Sequence, residues 1–244
     1  MIVSHNELTS MVNKAFLGMQ RHCGEADVIA EMVADLQMVG LNGVYHFNKA
    51  SSYFYLDCDC AATITTSTES FIEVNFHNGS VACHLPAVLD LAVDKMVGRK
   101  KVTIVIHNCY NRWLAFSELV RLSSKSLAFR VQWLNRCNSQ KTVYFLNKLE
   151  STPDIYFLKK SAEENLDCSS MKIEISVSDF FSETTNCSDN LINKISKEKL
   201  LNTRFKSLEK GIYVNDDEWD ILKRLSTVFL IENSELSKLG AGGI

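Results

Sequence analysis

Residues 4–43 read SHNELTSMVNKAFLGMQRHCGEADVIAEMVADLQMVGLNG, and this stretch decides how the chain begins to fold. Ser4 and Glu7 form a capping box, in which each side chain can pair with a free amide of the first helical turn. Apolar residues then recur every three or four positions, at Leu8, Met11, Val12, Ala15, Phe16 and Met19. The pattern predicts a helix that begins near His5 and has one apolar face.

A second helical pattern follows Gly18 and Gly24 and can cover that face. The second pattern ends at Gly40, because glycine adopts the left-handed conformation that closes many helices at little cost. A short connection makes consecutive helices antiparallel neighbours. Residues 4–43 therefore predict a helical pair, and its second apolar face consists of Val28, Ile29, Met32, Val33, Leu36 and Val39.

The composition is that of an average globular protein. The chain has 244 residues, is 46% hydrophobic and 23% charged, and carries a net charge of -3, which predicts a single domain over residues 1–244. Residues 194–210 hold six basic residues against Glu198 and Glu209. Such a run is typical of a solvated helix face, so nucleic-acid binding is the least favoured function.

The sequence predicts a cytoplasmic protein without a membrane segment. No apolar run approaches the roughly 20 residues that a membrane helix needs, and the amino-terminal pattern is amphipathic. The eight cysteines are irregularly spaced, which favours reduced and mostly buried thiols. Cys58 and Cys60 lack a second pair at matching spacing, so no metal site is predicted.

After residue 50 the pattern changes from helix to strand. Ile72, Val74 and Phe76 alternate with polar residues, and a second alternating run follows Asn78 and Gly79. Two alternating runs joined by Asn-Gly predict a β-hairpin with a type I′ turn. Further strands are predicted at residues 102–106, 127–133, 142–146, 155–158 and 171–177.

The short connections between these strands favour an antiparallel sheet over βαβ crossovers. Near the end of the chain, Asn215 and Glu218 begin another helical pattern with Trp219, Leu222 and Leu225 on its apolar face. The predicted fold class is α+β, a mainly antiparallel sheet covered by the amino-terminal helical pair and a carboxy-terminal helix. Its three parts are the helical pair at 4–43, a sheet-rich middle at 51–177 and a helical part at 190–239.

The two ends of the chain resemble a bacterial family of proteins of unknown function. The resemblance rests on Ser4-His5-Asn6-Glu7, Lys14-Ala15, the glycines from Gly40 to Gly43, Gly211-Ile212, Trp219, Ser234-Glu235, Ser237 and Gly240-Ala241-Gly242. It implies relatives of similar layout, and it implies no reaction.

The end of the second helix, Gly40-Leu41-Asn42-Gly43-Val44, is also similar to the malate/L-lactate dehydrogenase type of NAD(P)-dependent reductases. In that family a Ser-His-Gly ends the corresponding helix, and its histidine takes part in catalysis. Here Leu41, Asn42 and Gly43 stand at those positions, so the catalytic role is not carried over. The sequence also lacks the glycine-rich motifs of standard phosphate-binding loops.

Two functions follow from these observations. The first is a small-molecule-binding or accessory protein of metabolism, because no nucleophile, base and orienting group occur at a recognisable spacing. The second is an enzyme acting on a small polar substrate, a diverged relative of those reductases. Its catalytic residues and cofactor are unknown from the sequence, and a protein partner or a homo-oligomer is allowed.

The candidate binding residues come from separate parts of the chain. His46 can do acid–base work, but a lone histidine between Tyr45 and Phe47 is more often structural. Arg112 beside Trp113 can clamp a ligand or pack its stem on the indole. The candidate set is Asn42, His46, Arg112, Ser234, Glu235 and Ser237, of which the last three are expected to join Asn42 and His46 in one pocket.

Overall fold

The structure is a computed structural model that describes residues 1–55, 60–135, 140–159, 167–180 and 190–228. The described helices are α1 (His5–Gly18), α2 (Cys23–Met38), α3 (Gly43–Ala50), α4 (Val81–Lys95), α5 (Phe116–Ser123), α6 (Lys197–Lys210) and α7 (Asp216–Thr227). The strands are β1 (Ile2–Val3), β2 (Thr63–Ser67), β3 (Phe71–Asn75), β4 (Lys101–His107), β5 (Ala128–Leu134), β6 (Gln140–Leu146), β7 (Asp154–Lys159), β8 (Met171–Ser176), β9 (Leu191–Ile195) and β10 (Ile212–Tyr213).

The described strands form two sheets. The larger has eight strands in the order β2-β3-β4-β8-β5-β6-β7-β9, and only its β3–β4 pair is parallel. The smaller pairs β1 with β10 in antiparallel fashion. The predicted α+β fold with a mainly antiparallel sheet is therefore confirmed.

The amino-terminal helical pair forms as predicted. Ser4 caps α1 by accepting a hydrogen bond from the Glu7 amide, and α1 packs against α2. Helix α7 also packs on α1, and the Asn215 side chain caps α7 by accepting from the amides of Asp217 and Glu218. Most of the predicted apolar faces lie in the common core, where Leu8, Val12, Phe16, Ile29, Val33, Leu36, Trp219 and Leu222 are buried, whereas Val28 is exposed.

The predicted hairpin at Asn78-Gly79 is wrong. His77 and Asn78 adopt left-handed conformations, and the chain then enters α4, which the Ser80 side chain caps at the Ala82 amide. The second apolar run has helical spacing once its continuation is included, because Val81, Leu85, Val88, Leu89 and Ala92 are all buried. Helix α4 joins the parallel strands β3 and β4, so the exclusion of βαβ crossovers was also wrong at this point.

Two strands of the large sheet had no clear signal in the sequence. Strand β2 is rich in exposed threonine, and β9 is an exposed edge strand, so neither shows an alternation between apolar and polar residues. Residues Ser51–Tyr53 form a short 3-10 helix where strand was expected. The single-domain organisation stays a prediction.

The large sheet has two unlike faces. One face packs against α4 and α5, and there Ile72, Val74, Ile104 and Ile106 are fully buried. The other face, here called the open face, holds the alternate residues of β3 and β4. These residues are half-buried: Phe71, Glu73, Asn75, Thr103, Val105 and His107.

In the ranges that the structure describes, none of the helices combines the length and the apolar character required to span a membrane.

Candidate functional site

The corner between α2 and α3 is a sharp turn in the backbone. Gly40 and Asn42 both adopt left-handed conformations, with φ angles of 81° and 54°. The Leu41 amide donates to the Leu36 carbonyl at 3.0 Å, and the Asn42 carbonyl accepts from the His46 amide at 3.1 Å. Asparagine tolerates the left-handed region better than most side chains, so Asn42 suits this turn.

Gln37 holds this corner together from the last turn of α2. Its Oε1 accepts from the Val44 amide at 3.0 Å, and its Nε2 donates to the Tyr213 carbonyl at 2.7 Å. The oxygen and the nitrogen of the buried Gln37 amide therefore form hydrogen bonds with two different elements, α3 and β10. This arrangement brings the start of α7 next to the corner, although the two are far apart in sequence.

Asn48 of α3 makes a second link to α7. Its Nδ2 donates to the Glu218 carbonyl at 2.8 Å and to the Glu218 carboxylate at 2.6 Å. Hydrogen bonds to a charged group are stronger than neutral ones, so this contact places Glu218 firmly beside α3.

A cavity of about 390 Å³, here called the corner pocket, lies between these elements. Asn42, Tyr45, Asp217 and Glu218 are among its lining residues, and no lysine, arginine or histidine of the described ranges lines it. The described lining therefore offers amide, phenol and carboxylate groups, and the Lys49 ammonium lies 3.4 Å from the Tyr45 hydroxyl. The remaining lining residues are Gln37, Val44, Tyr213, Val214 and Asn215.

His46 lies one turn after Asn42 and does not line the corner pocket. Its ring stacks on Trp113 at a centroid distance of 5.9 Å and meets the edge of Tyr45 at 5.3 Å. Burial, and secondly the charge of Lys49, lower the pKa of His46 to about 4. The ring is therefore neutral near pH 7, which does not suit general acid–base work there.

Arg112 is a structural clamp in this structure. Its Nη1 donates to the carbonyls of Cys168 at 2.9 Å and Ser170 at 3.1 Å, which ties the segment before β8 to the turn after β4. Arg112 does not line the corner pocket, whereas its neighbour Trp113 contacts His46.

The structure thus brings Asn42 into a pocket and separates it from Arg112. Ser234, Glu235 and Ser237 lie outside the described residues, so their predicted convergence with Asn42 stays a prediction. Sequence reasoning missed Gln37, Tyr213 and Asp217 as pocket residues. The only signal near them was the cap at Asn215, which indicated a helix start and no cavity.

Metal ligands do not cluster in the described part of the chain. No group of three or more histidine, cysteine, aspartate or glutamate residues there could hold a metal ion. Cys60 is an exposed free thiol, and Cys58 lies outside the described residues.

The amino-terminal third of the chain matches a family model described as "Protein of unknown function (DUF3726)" over residues 3–79. The resemblance to a family of unknown function is confirmed over this region, which contains the helical pair and the corner. No curated protein sequence matches the chain significantly.

Solved structures with a similar fold over nearly the whole chain include several dehydrogenases. A dehydrogenase from Sinorhizobium meliloti aligns with a TM-score of 0.69 at 10% identity, over 93% of this chain and 99% of that one. A putative malate/lactate dehydrogenase from E. coli aligns with a TM-score of 0.66 at 11% identity, over 97% of each chain. A malate dehydrogenase from Pyrococcus horikoshii OT3 aligns with a TM-score of 0.69 at 9% identity, over 96% of this chain and 97% of that one. At these identities the comparison establishes a common fold.

Proposed function

We propose that this chain, which has the fold of malate/lactate dehydrogenase-type proteins, is a binding protein for a small polar molecule. The corner pocket is its binding site. The observation that supports this proposal is the cavity of about 390 Å³ at the end of α2, which lies within the size range of small-molecule sites. Its polar groups come from three separate elements, so a ligand there would contact α2, α3 and α7 together.

The charge of the lining selects among ligands. Among the described residues that line the corner pocket, the charged ones are Asp217 and Glu218, and both are acidic. A carboxylate ligand such as a 2-hydroxy acid would meet like charge from these two side chains, which costs affinity. The proposed ligand is therefore neutral or positively charged and has hydrogen-bonding groups.

Binding without chemistry is the better account of this pocket. The amide of Asn42 neither gives nor takes a proton at neutral pH. The pKa of the half-buried His46 is lowered to about 4, so its ring is neutral near pH 7, and His46 lies outside the pocket lining. The position where the reductases have a catalytic histidine therefore has no acid–base group in this chain.

We expect two variants of the corner pocket to bind its ligand more weakly. Asn42→Gly keeps the left-handed turn and removes the amide, and Asp217→Asn removes a charge from the lining. Each should raise the Kd about tenfold, because a hydrogen bond to a polar or charged ligand contributes roughly 1–2 kcal/mol. Ligands are first found by thermal shift with a panel of neutral, cationic and anionic metabolites, and the Kd is then measured by calorimetry.

Asp220→Asn is the matched control. Asp220 is an exposed acidic residue of α7 that does not line the corner pocket, so this variant should change the Kd less than about twofold. A panel without any stabilising compound, or equal affinity in Asp217→Asn and the wild type, would contradict the proposal.

A nicotinamide-dependent reductase is the second candidate. It is favoured by a fold shared with dehydrogenases over 93–97% of this chain. The discriminating assay follows NADH and NADPH absorbance with a panel of small 2-oxo acids. We expect no oxidation above the uncatalysed rate, because Asn42 stands at the position of the catalytic histidine. Turnover that Asn42→Gly abolishes would replace the binding proposal with this one.

The proposal also includes predictions about the cellular setting. We infer that the protein acts in the bacterial cytoplasm, alone, as a homo-oligomer or with a protein partner. Cell fractionation and sedimentation of the purified chain test location and assembly separately.

A further inference from the structure

A row of polar side chains crosses the open face of the large sheet, away from the corner pocket. It consists of Thr66 on β2, Glu73 on β3, His107 on β4 and Ser170 immediately before β8, and is here called the polar row. His107 and Ser170 are neighbours because the adjacent residues Ile106 and Met171 are paired in the sheet. The polar row therefore runs across β2, β3 and β4 to the residue that precedes β8.

A carboxylate and an imidazole meet at the centre of the polar row. His107 Nε2 lies 2.9 Å from Glu73 Oε1, and the Thr66 hydroxyl donates to Glu73 Oε2 at 2.9 Å. The hydrogen bond from His107, followed by that from Thr66, lowers the pKa of Glu73. Glu73 is therefore ionised at neutral pH, and an ionised carboxylate can only accept hydrogen bonds.

Because Glu73 is ionised, the positions of the protons along the polar row can be inferred. Because the carboxylate accepts, Nε2 of a neutral His107 carries the ring proton, and Nδ1 has the lone pair. Ser170 Oγ lies 3.2 Å from Nδ1, so its hydroxyl donates to that nitrogen. The order of groups is hydroxyl, imidazole and carboxylate, which is the order that activates a serine nucleophile.

The carbonyl and the amide of Ser170 each make a hydrogen bond that holds this residue in place. Its carbonyl accepts from Arg112 at 3.1 Å, and its amide donates to the Asp167 carbonyl at 3.0 Å. The side chains of His107 and Glu73 are 38% and 32% exposed, whereas Ser170 as a residue is 3% exposed. Solvent therefore reaches the imidazole and the carboxylate, whereas Ser170 is almost fully covered.

Part of the polar row lies at the carboxyl end of a strand. His107 is the last residue of β4, which runs parallel to β3. The turns that follow these strands hold His77, Asn78 and Asn108 in left-handed conformations.

We propose that Ser170 is a nucleophile for acyl transfer, with His107 as its general base and Glu73 as a positioning residue. Ser170 Oγ would attack the carbonyl carbon of an activated ester while its proton passes to His107 Nδ1. The same proton would then leave with the alcohol, and an acyl group would remain on Ser170. Water, deprotonated by His107, would release the acid and restore the serine.

A fluorophosphonate probe tests this proposal without a known substrate. It phosphonylates an activated serine with loss of fluoride, and digestion followed by mass spectrometry locates the adduct. We expect an adduct on Ser170 of the wild-type chain and none there in Ser170→Ala. Ser169→Ala is the matched control, because Ser169 is the neighbouring serine and contacts Asn108 and Asp167 instead of His107.

Variants of the base and of its partner separate catalysis from folding. His107→Asn should slow labelling about 100-fold, the usual contribution of a general base. Glu73→Gln should slow labelling less than Glu73→Ala, because the glutamine amide oxygen can still accept a hydrogen bond from His107 Nε2. Circular-dichroism melting shows that each variant is folded before its rate is compared.

Two outcomes would overturn this inference. One is a folded wild-type chain without an adduct on Ser170, and the other is an equal labelling rate in folded His107→Asn. Neither outcome would contradict the proposed binding function, since Ser170 and His107 do not line the corner pocket.

Discussion

Gly43→Ala is expected to destabilise the fold by about 3 kcal/mol or more, the largest effect of any single change considered for this chain. A Cβ atom at this position would lie 2.1 Å from the Val33 carbonyl oxygen and 2.9 Å from the Gln37 amide nitrogen. These atoms belong to the backbone of α2, where they lie four residues apart as a helical hydrogen-bonded pair does. Backbone cannot move aside as a flexible side chain can, so α2 and α3 would have to separate.

Separation of the two helices would also break the contacts that Gln37 makes. The Val44 amide would lose its hydrogen bond to Gln37, which is a buried contact. The loss is a large fraction of the 5–15 kcal/mol that stabilises typical domains. We expect a lower urea midpoint for Gly43→Ala, or expression as unfolded protein.

Gly24→Ala is the matched control for this substitution. Gly24 lies in the first turn of α2, and a Cβ atom there would meet nothing within 4 Å. Alanine should therefore be neutral or stabilise the chain by about 0.5–1 kcal/mol, as in other unobstructed helical positions. Equal urea midpoints for the Gly43 and Gly24 variants would show that α2 and α3 are not packed this closely.

Acidification is expected to destabilise the chain through His46. Burial lowers the folded-state pKa of His46 from 6.5 to about 4. Between these two values the unfolded chain binds a proton that the folded chain excludes, so stability falls as pH falls. The contribution of His46 is complete above about pH 6.5 and is lost progressively towards pH 4.

The size of this effect follows from the shift in pKa. Each pH unit between the two pKa values contributes about 1.4 kcal/mol, so His46 accounts for roughly 3 kcal/mol over the whole interval. The free energy of unfolding is measured by urea titration at pH values from neutral to acidic. Carboxylates also titrate in this range, so the wild type alone does not isolate the histidine.

His46→Phe provides the necessary comparison. Phenylalanine keeps an aromatic ring against Trp113 and has no titratable group. The free energy of unfolding of the wild type minus that of His46→Phe should decrease as pH falls, by roughly 3 kcal/mol in total. A difference that stays constant with pH would mean that His46 is solvated in the folded chain.

The fold could be predicted wherever its signals are local. Ser4 and Asn215 cap their helices as the sequence indicated, since an N-cap pairs with amides only two or three residues away. The strand predicted at residues 127–133 forms as β5, and its apolar residues Phe129, Val131 and Trp133 are buried. In contrast, the Asn78-Gly79 pair is compatible with a hairpin or with entry into a helix, and only the packing of α4 decides between them.

The candidate site was only partly predictable. Asn42 was identified by comparison with the end of the corresponding helix in another family, and it does line a cavity. Tyr213 and Asp217 could not be connected to it, because the link is a hydrogen bond from Gln37 to a strand 176 residues away. Glu73 and His107 are likewise 34 residues apart, so no sequence motif of short spacing connects them.

The sequence by itself determined the helical pair, the caps and the strands that have one buried face, because period and capping act over a few residues. The tertiary structure alone decided that β3 and β4 run parallel and that α7 closes a pocket against the corner at Asn42. It also decided that packing around His46 lowers the pKa of its imidazole. Each of these features depends on contacts between segments that are far apart in the sequence. Such contacts exist only once the chain is packed.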